Sequence, residues 1–355
     1  MNLFENARTR PFGVAELDPK LSFARCQANL VRCFVRGCRQ WLAPPRRGFR
    51  GDTCPVHRIR CHVSGITGTY SYVDPVRNII AGRSEFARKI LGHPFKFESH
   101  RLGSEKSEDA LTWNVFRSLY EQKRLAHVAE LFTGECHRAE PRLFLWGIAM
   151  DDFRPWPLLI EAREQFESNL PVDRPKTEPD IALYLPGEYL VLIEAKFTSP
   201  NTYYEPLQRK TPVSLTAAEL IHRYWFREAQ IVNPDAASDS PRVPQQLWRN
   251  TVFAEYMARQ DRQGTRAYHA NLVRHSFEEL IECEFRQLLF PESTHRFRRV
   301  TWESLYEHTH ILEGCEQLRD YLRNKSAGLQ RAFQLPGQTG ESVSIATQHG
   351  LFGVE

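Results

Sequence analysis

The sequence has no long apolar run. Its longest uninterrupted apolar stretch is about eight residues, around LFLWGIAM, against the roughly 20 that a helix needs to cross a bilayer. The opening residues, MNLFENARTR, lack the apolar core of a secretory signal. An integral membrane protein and a secreted one are both disfavoured, and the expectation is a cytoplasmic chain with no membrane partner. There is no internal repeat and no run of coiled-coil heptads, so neither a repeat array nor a rod is expected. Net charge is small, only +4. What is present is ordinary globular material: 355 residues with 41% apolar and 25% charged side chains, enough to bury a core. At roughly 100–200 residues per domain, that length suggests two domains, with room for an appendage.

The small net charge hides an uneven spread. Residues 1–106 hold 19 Lys and Arg against 8 Asp and Glu, a net of +11, while the remaining 249 residues are at −7. A basic front on an enzyme-sized body fits a polyanionic partner. Within that front Arg46, Arg47 and Arg50 are candidates for phosphate contacts, each adding to a salt-dependent affinity, or else form a solvated Arg-rich loop.

Five of the eight cysteines fall within 36 residues: Cys26, Cys33, Cys38, Cys54 and Cys61, with His57 and His62 among them. Clustered thiols without a secretory signal suit a metal better than a disulfide framework. The best four-ligand set is Cys33-x4-Cys38 followed by Cys54-x2-His57, two short knuckles that complete a tetrahedral structural Zn²⁺ site. Cys61 is an alternative to His57, and Cys26 could join either set. The linker RQWLAPPRRGFRGDT is too rich in Pro, Gly and Arg to build its own core, so metal would supply much of the folding free energy. His308, His310 and Cys315 read more simply as a helical surface than as a second metal site.

Along the chain, residues 1–25 read as an irregular arm, 26–65 as the zinc-binding basic module, and 66–104 as a connecting segment with β-like pieces such as TGTYSYV. Ser107 is a good N-cap for one helix over SEDALTWNVFRSLYEQKRLAHVAEL, with Glu108 and Asp109 at its positive end. RLFLWGIAM reads as one buried strand. LLIEAREQFES could be helix or strand. DIALYL and EYLVLIEAKF read as two central strands joined at Pro186-Gly187, apolar on both faces. An insertion follows at 198–243, then a helix from Pro244 and a strand over AYHANLVRH. The main domain is expected over 105–300, with a helix and a flexible tail over 301–355.

Chemistry concentrates in Pro179-Asp180 and Glu194-Ala195-Lys196. Glu194 and Lys196 lie two apart on a strand and so share a face. A three-residue loop from Pro186 to Glu188 would set Asp180 opposite Glu194, with Cβ atoms about 4.5–5.5 Å apart. A two-residue turn at Gly187-Glu188 would oppose Asp180 to Ala195 and break the cluster. Two carboxylates so close repel unless a cation intervenes, and all-oxygen ligands select Mg²⁺ or Mn²⁺. The Ala195 carbonyl could add a third oxygen, and Lys196 would lie beside the ion. Glu108 could approach the same ion.

This arrangement, two adjacent strands after a helix bearing Glu108, resembles the PD-(D/E)XK nuclease superfamily, the restriction-endonuclease-like fold. The likeness covers roughly residues 105–280 and implies an α/β core, a mixed central sheet flanked by helices, carrying the small N-terminal zinc-binding module as an accessory. It implies that Asp180 and Glu194 bind Mg²⁺, with Glu108 as a further ligand directly or through water, and that Lys196 activates or positions the attacking water. Glu105, Asp109 and Glu161 are alternatives to Glu108. Gln245-Gln246-Leu247-Trp248-Arg249-Asn250 resembles the second core helix of that fold, which implies that Gln246 and Arg249 contact the phosphate. The implied activity is a metal-dependent DNA endonuclease of restriction or defence, possible as a homodimer on double-stranded DNA. A non-cleaving zinc-containing nucleic-acid-binding protein and an RNA-directed nuclease are the alternatives.

Overall fold

A computed structural model describes residues 10–22, 30–48, 50–64, 67–93, 96, 101–170, 176–204, 216–240 and 242–336. Cys26 lies outside the described residues.

The N-terminal part is built from two small hairpins. β1 (Val31–Arg32) pairs with β2 (Trp41–Leu42), and β3 (Ile59–Ser64) pairs antiparallel with β4 (Thr67–Tyr72). Their apolar side is a compact core of its own, with Phe12, Leu17, Phe34, Leu42, Ile59, Tyr70 and Tyr72, into which Leu329 from the far end of the chain inserts. Helical turns over Arg83–Glu85 and Phe86–Ile90 then lead to the main body.

Ser107 begins α1 (Glu108–Glu121), its side chain accepting the Ala110 N–H at 3.1 Å. The expected single helix is two. The chain breaks at Lys123, which has φ +53°, and resumes as α2 (Leu125–Thr133), whose Leu125 N–H is capped by Glu140 at 3.0 Å. The RLFLWGIAM segment is likewise not one strand. Trp146 and Gly147 have φ of +55° and +79°, a primed two-residue turn that folds β5 (Arg142–Leu145) back on β6 (Ile148–Ala149). α3 (Pro157–Glu167) resolves the ambiguous LLIEAREQFES as helix.

β7 (Ile181–Leu185) and β8 (Tyr189–Ala195) pair from Leu185↔Tyr189 to Ile181↔Ile193, which is the three-residue loop. Beyond them β9 (Tyr203–Tyr204), α4 (Ala217–Arg223), α5 (Pro234–Ser238) and β10 (Val243–Pro244) are the elements of the 198–243 region among the described residues. α6 (Gln245–Gln260) and β11 (Arg266–Val273) follow, then α7 (Ile281–Arg286), β12 (Phe297–Thr301), α8 (Trp302–Thr309) and α9 (Glu316–Asn324). The chain closes with the hairpin β13 (Ser326–Ala327) and β14 (Gln330–Arg331).

The central sheet has six strands in the order β12-β11-β8-β7-β5-β6. β8, β11 and β12 run parallel, and the β8-β7-β5-β6 half is antiparallel. Strand alternation sorts the side chains into two layers. Val191, Ile193 and Ala195 face a core shared with α1, α2, α8 and α9, where Trp113 and Trp146 stack with centroids 6.3 Å apart. Leu190 and Leu192 face the opposite core, closed by α3, α6 and the α4 residues Leu220 and Ile221. The described residues 216–240 therefore roof one face of the sheet. Each fully buried aliphatic side chain contributes about 1.5–3 kcal/mol to holding these layers.

A polar joint connects the N-terminal part to the body. Glu105 is 2% exposed. Its N–H donates to Tyr70 O at 3.0 Å, its carboxylate accepts from Thr69 Oγ1 at 3.2 Å and Leu329 N at 3.1 Å, and its carbonyl accepts from Lys325 Nζ at 2.9 Å.

Candidate active site and metal centre

Alternation that places Leu190 and Leu192 on the α6 side carries Glu194 to the same side, at the carboxyl end of β8. Continuing the β7–β8 register by one step sets Asp180 opposite Glu194, and the Asp180 carboxylate accepts the Ala195 N–H at 2.8 Å. Lys196 donates to Glu194 Oε1 at 2.6 Å. Glu194 and Lys196 are 2% and 8% exposed, so this is a buried pair, unlike the solvated cross-strand pairs that contribute little.

α6 completes the surroundings of Glu194. Gln246 Nε2 donates to Oε1 at 2.5 Å and Asn250 Nδ2 donates to Oε2 at 2.8 Å. These two residues are one helical turn apart, which aims both amides at one carboxylate. Asn250 is the residue that sequence reasoning passed over. Its i+4 spacing from Gln246 was the available signal. Arg249 lines the same cleft, with its Nε buried and without a hydrogen-bond partner and its guanidinium 5.7 Å from the Tyr224 ring centroid.

Glu108 approaches from the first position of α1, where its carboxylate lies near Phe197 and Ser199. Burial pushes its pKa up to about 7, against the pull of the Lys196 ammonium. Burial also raises Asp180 well above the usual carboxylate range, and the nearby Glu194 charge raises it further. Lys196 loses hydration through burial, but Glu194 and Asp180 more than compensate and hold it firmly cationic. The three carboxylates do not converge tightly. Among the described residues, the one group that brings three or more Cys, His, Asp or Glu ligand atoms within 4.8 Å of one another is elsewhere.

Glu108, Asp180, Glu194, Lys196, Gln246 and Arg249 line one cleft of about 610 Å³, with Asn250 behind Glu194. Its walls also carry Lys96, Arg101, Lys106 and Lys176. A second charged constellation sits beside the first. Lys96 donates to Asp109 at 2.9 Å and lies 3.4 Å from Glu178, and its ammonium is 4.6 Å from the Trp146 ring centroid. Of the other acids considered with Glu108, Asp109 belongs to this constellation, Glu105 to the joint described above, and Glu161 is exposed on α3.

A family described as Restriction Endonuclease associating with ARP matches residues 83–325, about two thirds of the chain. The chain belongs to this family. The match spans α1, the β7–β8 pair, α6 and the whole cleft, so the restriction-endonuclease-like core of the family is the body just described. No curated protein and no solved structure matches the chain.

The matched residues begin after the N-terminal hairpins, where the tight ligand group lies. Cys33, Cys38, Cys54 and His57 hold their ligand atoms within 4.8 Å of one another. Cys33 and Cys54 each have Sγ 3.5 Å from His57 Nδ1, and the Cys38 and Cys54 sulfurs are 3.9 Å apart. A tetrahedral Zn²⁺ with bonds of about 2.3 Å to sulfur and about 2.05 Å to nitrogen requires edges of roughly 3.8 Å and 3.5 Å, which these distances match. Positive φ at Gly37, +78°, and Arg58, +54°, turns the two knuckles toward each other. Cys61 is buried against Cys33 but is not one of the four. Arg46, Arg47 and Arg50 are exposed on the linker between the knuckles. His308 bonds the His127 carbonyl at 2.8 Å, His310 packs on Tyr306, and Cys315 is buried in the core, so these three form no ligand group.

Among the described residues no helix is long and apolar enough to cross a membrane.

Proposed function

We propose that the chain is a Mg²⁺-dependent endonuclease that hydrolyses phosphodiester bonds of double-stranded DNA in restriction or defence. The observation that carries the reading is the buried Lys196–Glu194 pair, opposite Asp180, at the floor of a cleft walled by cationic side chains. Buried charges of this kind are costly unless they have a task.

Asp180 and Glu194 are the residues suited to hold Mg²⁺ or Mn²⁺ directly. Glu108, which reaches the same cleft from α1, would act on the ion through water. The ion, when bound, supplies Lewis-acid charge to the phosphate oxygens. Lys196, held cationic by its neighbours, orients the attacking water and offsets negative charge at the phosphate rather than taking a proton. Glu108, poised at about 7, is the group suited to accept the water's proton. A bond forms from the water oxygen to phosphorus in line with the P–O3′ bond that breaks. The superfamily resemblance implies a 5′-phosphate and a 3′-hydroxyl, the latter protonated from solvent. Gln246 keeps Glu194 in place, and Arg249, which lines the cleft, is the residue suited to contact a phosphate oxygen.

The Cys/His group supports a structural Zn²⁺. Its thiols are free, and crowding by Cys33 together with burial pushes Cys54 up to about 11, a cost a metal removes by taking the thiolate. Reduced thiols in this number suit a cytoplasmic setting. The basic module, ordered by the ion, would add phosphate contacts through its exposed Arg46, Arg47 and Arg50.

Supercoiled plasmid tests the reading. Nicking or linearisation is expected with Mg²⁺ and none with EDTA, and both Lys196→Ala and Asp180→Asn should lose at least a hundredfold in rate. A Lys196→Ala protein that cuts as fast as wild type refutes the assignment. Salt-dependent binding with no cleavage in either Mg²⁺ or Mn²⁺ supports a non-cutting binder instead, and preferential cutting of an RNA duplex reassigns the substrate. Linearisation without a nicked intermediate would indicate two copies acting together.

A further inference from the structure

The cleft holds two acidic pairs that run in parallel. Glu108 and Asp180 form part of one. Their chain neighbours Asp109, next along α1, and Glu178, on the other side of Pro179, form the second. The first pair faces Lys196. The second is already occupied by Lys96, whose ammonium is 2.9 Å from Asp109 Oδ1 and 3.4 Å from Glu178 Oε1. Lys96 comes from a different part of the chain, between the helical turn at Phe86–Ile90 and α1, and its side chain is only 4% exposed. The Trp146 ring, 4.6 Å away, adds a cation–π contact that further holds the charge in place. Asp109, Glu178 and Asp180 all draw on the same positive charge.

The geometry points to Lys96 as a built-in cation that keeps the second carboxylate pair closed to metal, so that the cleft takes a single exchangeable divalent ion. The inference rests on the nuclease reading above, and it settles which of two metal stoichiometries that reading uses. Two-ion nucleases place a second divalent cation on a carboxylate pair beside the first. Here a lysine ammonium sits on that pair and offsets one of its two negative charges. An ammonium donates hydrogen bonds but accepts no water ligand, so it stabilises phosphate charge without generating a second metal-bound water. Lys96 is thereby a positioning residue: it fixes Asp109 and Glu178 and sets the number of ions, while Lys196 faces the reacting group.

The test counts ions directly. Full-length zinc-loaded protein is titrated with Mn²⁺, followed by calorimetry and by electron paramagnetic resonance, without substrate. Wild type should bind one Mn²⁺, lost in Asp180→Asn. Lys96→Met, which keeps the length of the side chain and removes the charge, should bind two, and the second should disappear in Lys96→Met with Asp109→Asn. Lys96→Arg should restore a count of one. As a check that does not depend on the methionine variant folding, Asp109→Asn alone should leave the wild-type count at one. Two ions in wild type, no gain in Lys96→Met, or a fall in Asp109→Asn alone each overturn the inference. Absence of the Asp180-dependent ion is a separate result, and it overturns the metal reading of Asp180 and Glu194 whether or not the Asp109-dependent ion is gained.

Discussion

Asn250 offers a sharp test of how the cleft is held together. Glu194 is 2% exposed, and its Oε2 accepts from Asn250 at 2.8 Å while Oε1 is shared by Lys196 and Gln246. Asn250→Leu keeps the volume and removes the donor. A hydrogen bond to a charged group is worth about 1.5–3 kcal/mol, so the folded state should lose about 2 kcal/mol, roughly a 30-fold change in the folding equilibrium. With one oxygen unanchored, the carboxylate is free to rotate about the Lys196 contact. Partners that orient a metal ligand are typically worth 10–100-fold in metal affinity, so the Mg²⁺ concentration for half-maximal plasmid cleavage should rise by that factor. Urea unfolding measures the first quantity and cleavage against Mg²⁺ the second. Asn250→Asp, which sets a like charge against a buried carboxylate, should be worse on both. A folded Asn250→Leu protein with unchanged Mg²⁺ dependence would refute the claim that α6 positions Glu194.

Two further outcomes follow from the rest of the molecule. Elemental analysis should find about one zinc per chain, lost in a Cys33→Ser, Cys38→Ser double variant, and a metal-free wild type would rule the site out. His269 is buried, hydrogen-bonded through Nδ1 to the Thr251 hydroxyl at 2.8 Å, and burial depresses its pKa from 6.5 to about 3. The folded protein therefore refuses a proton that the unfolded chain accepts. The stability this group contributes is complete above pH 6.5 and is lost as pH falls, by about 2 kcal/mol at pH 5. Glu108 and Glu178, both raised to about 7, act with the opposite sign over the same range. The imidazole is isolated by subtracting the His269→Phe profile from wild type, and a flat difference curve would show that it does not titrate as described.

Features set by short-range rules were legible in the sequence. Ser107 before two acids marks a helix start because its hydroxyl can cap an orphan N–H, and it does so at Ala110. The apolar runs on either side of Pro186-Gly187 predicted a hairpin, and the positive φ of Gly187 lets its loop close in three residues. The spacing Cys33-x4-Cys38 and Cys54-x2-His57 was enough to bring four ligand atoms together. Other features depend on distant partners. Trp146 at φ +55° is an unusual residue for a primed turn, and its ring is held by Phe86, Trp113 and Lys96 from far up the chain. The break at Lys123 interrupts an unbroken helical pattern because Glu140 offers the second helix a cap. β12 is short, carries two adjacent arginines, Arg298 and Arg299, and becomes a strand because β11 gives it a parallel edge. Lys96 and Glu178 are separated by 82 residues, so no local spacing could pair them.

The joint at Glu105 bears on what counts as the folding unit. The family match begins at residue 83 and ends at 325. A fragment cut to those limits would discard Tyr70, Thr69 and Leu329, and with them the hydrogen-bond donors and the acceptor that satisfy Glu105 two residues before the cap of α1. It would also remove Asn78, whose amide bonds the carbonyls of Leu102 and Ser104 and whose own carbonyl accepts from Asn114 within α1. The helix that delivers Glu108 and Asp109 would then start from an uncompensated acid on an unbraced segment. The stretch before residue 83 therefore braces the start of α1, and a fragment meant to fold on its own has to carry that stretch along.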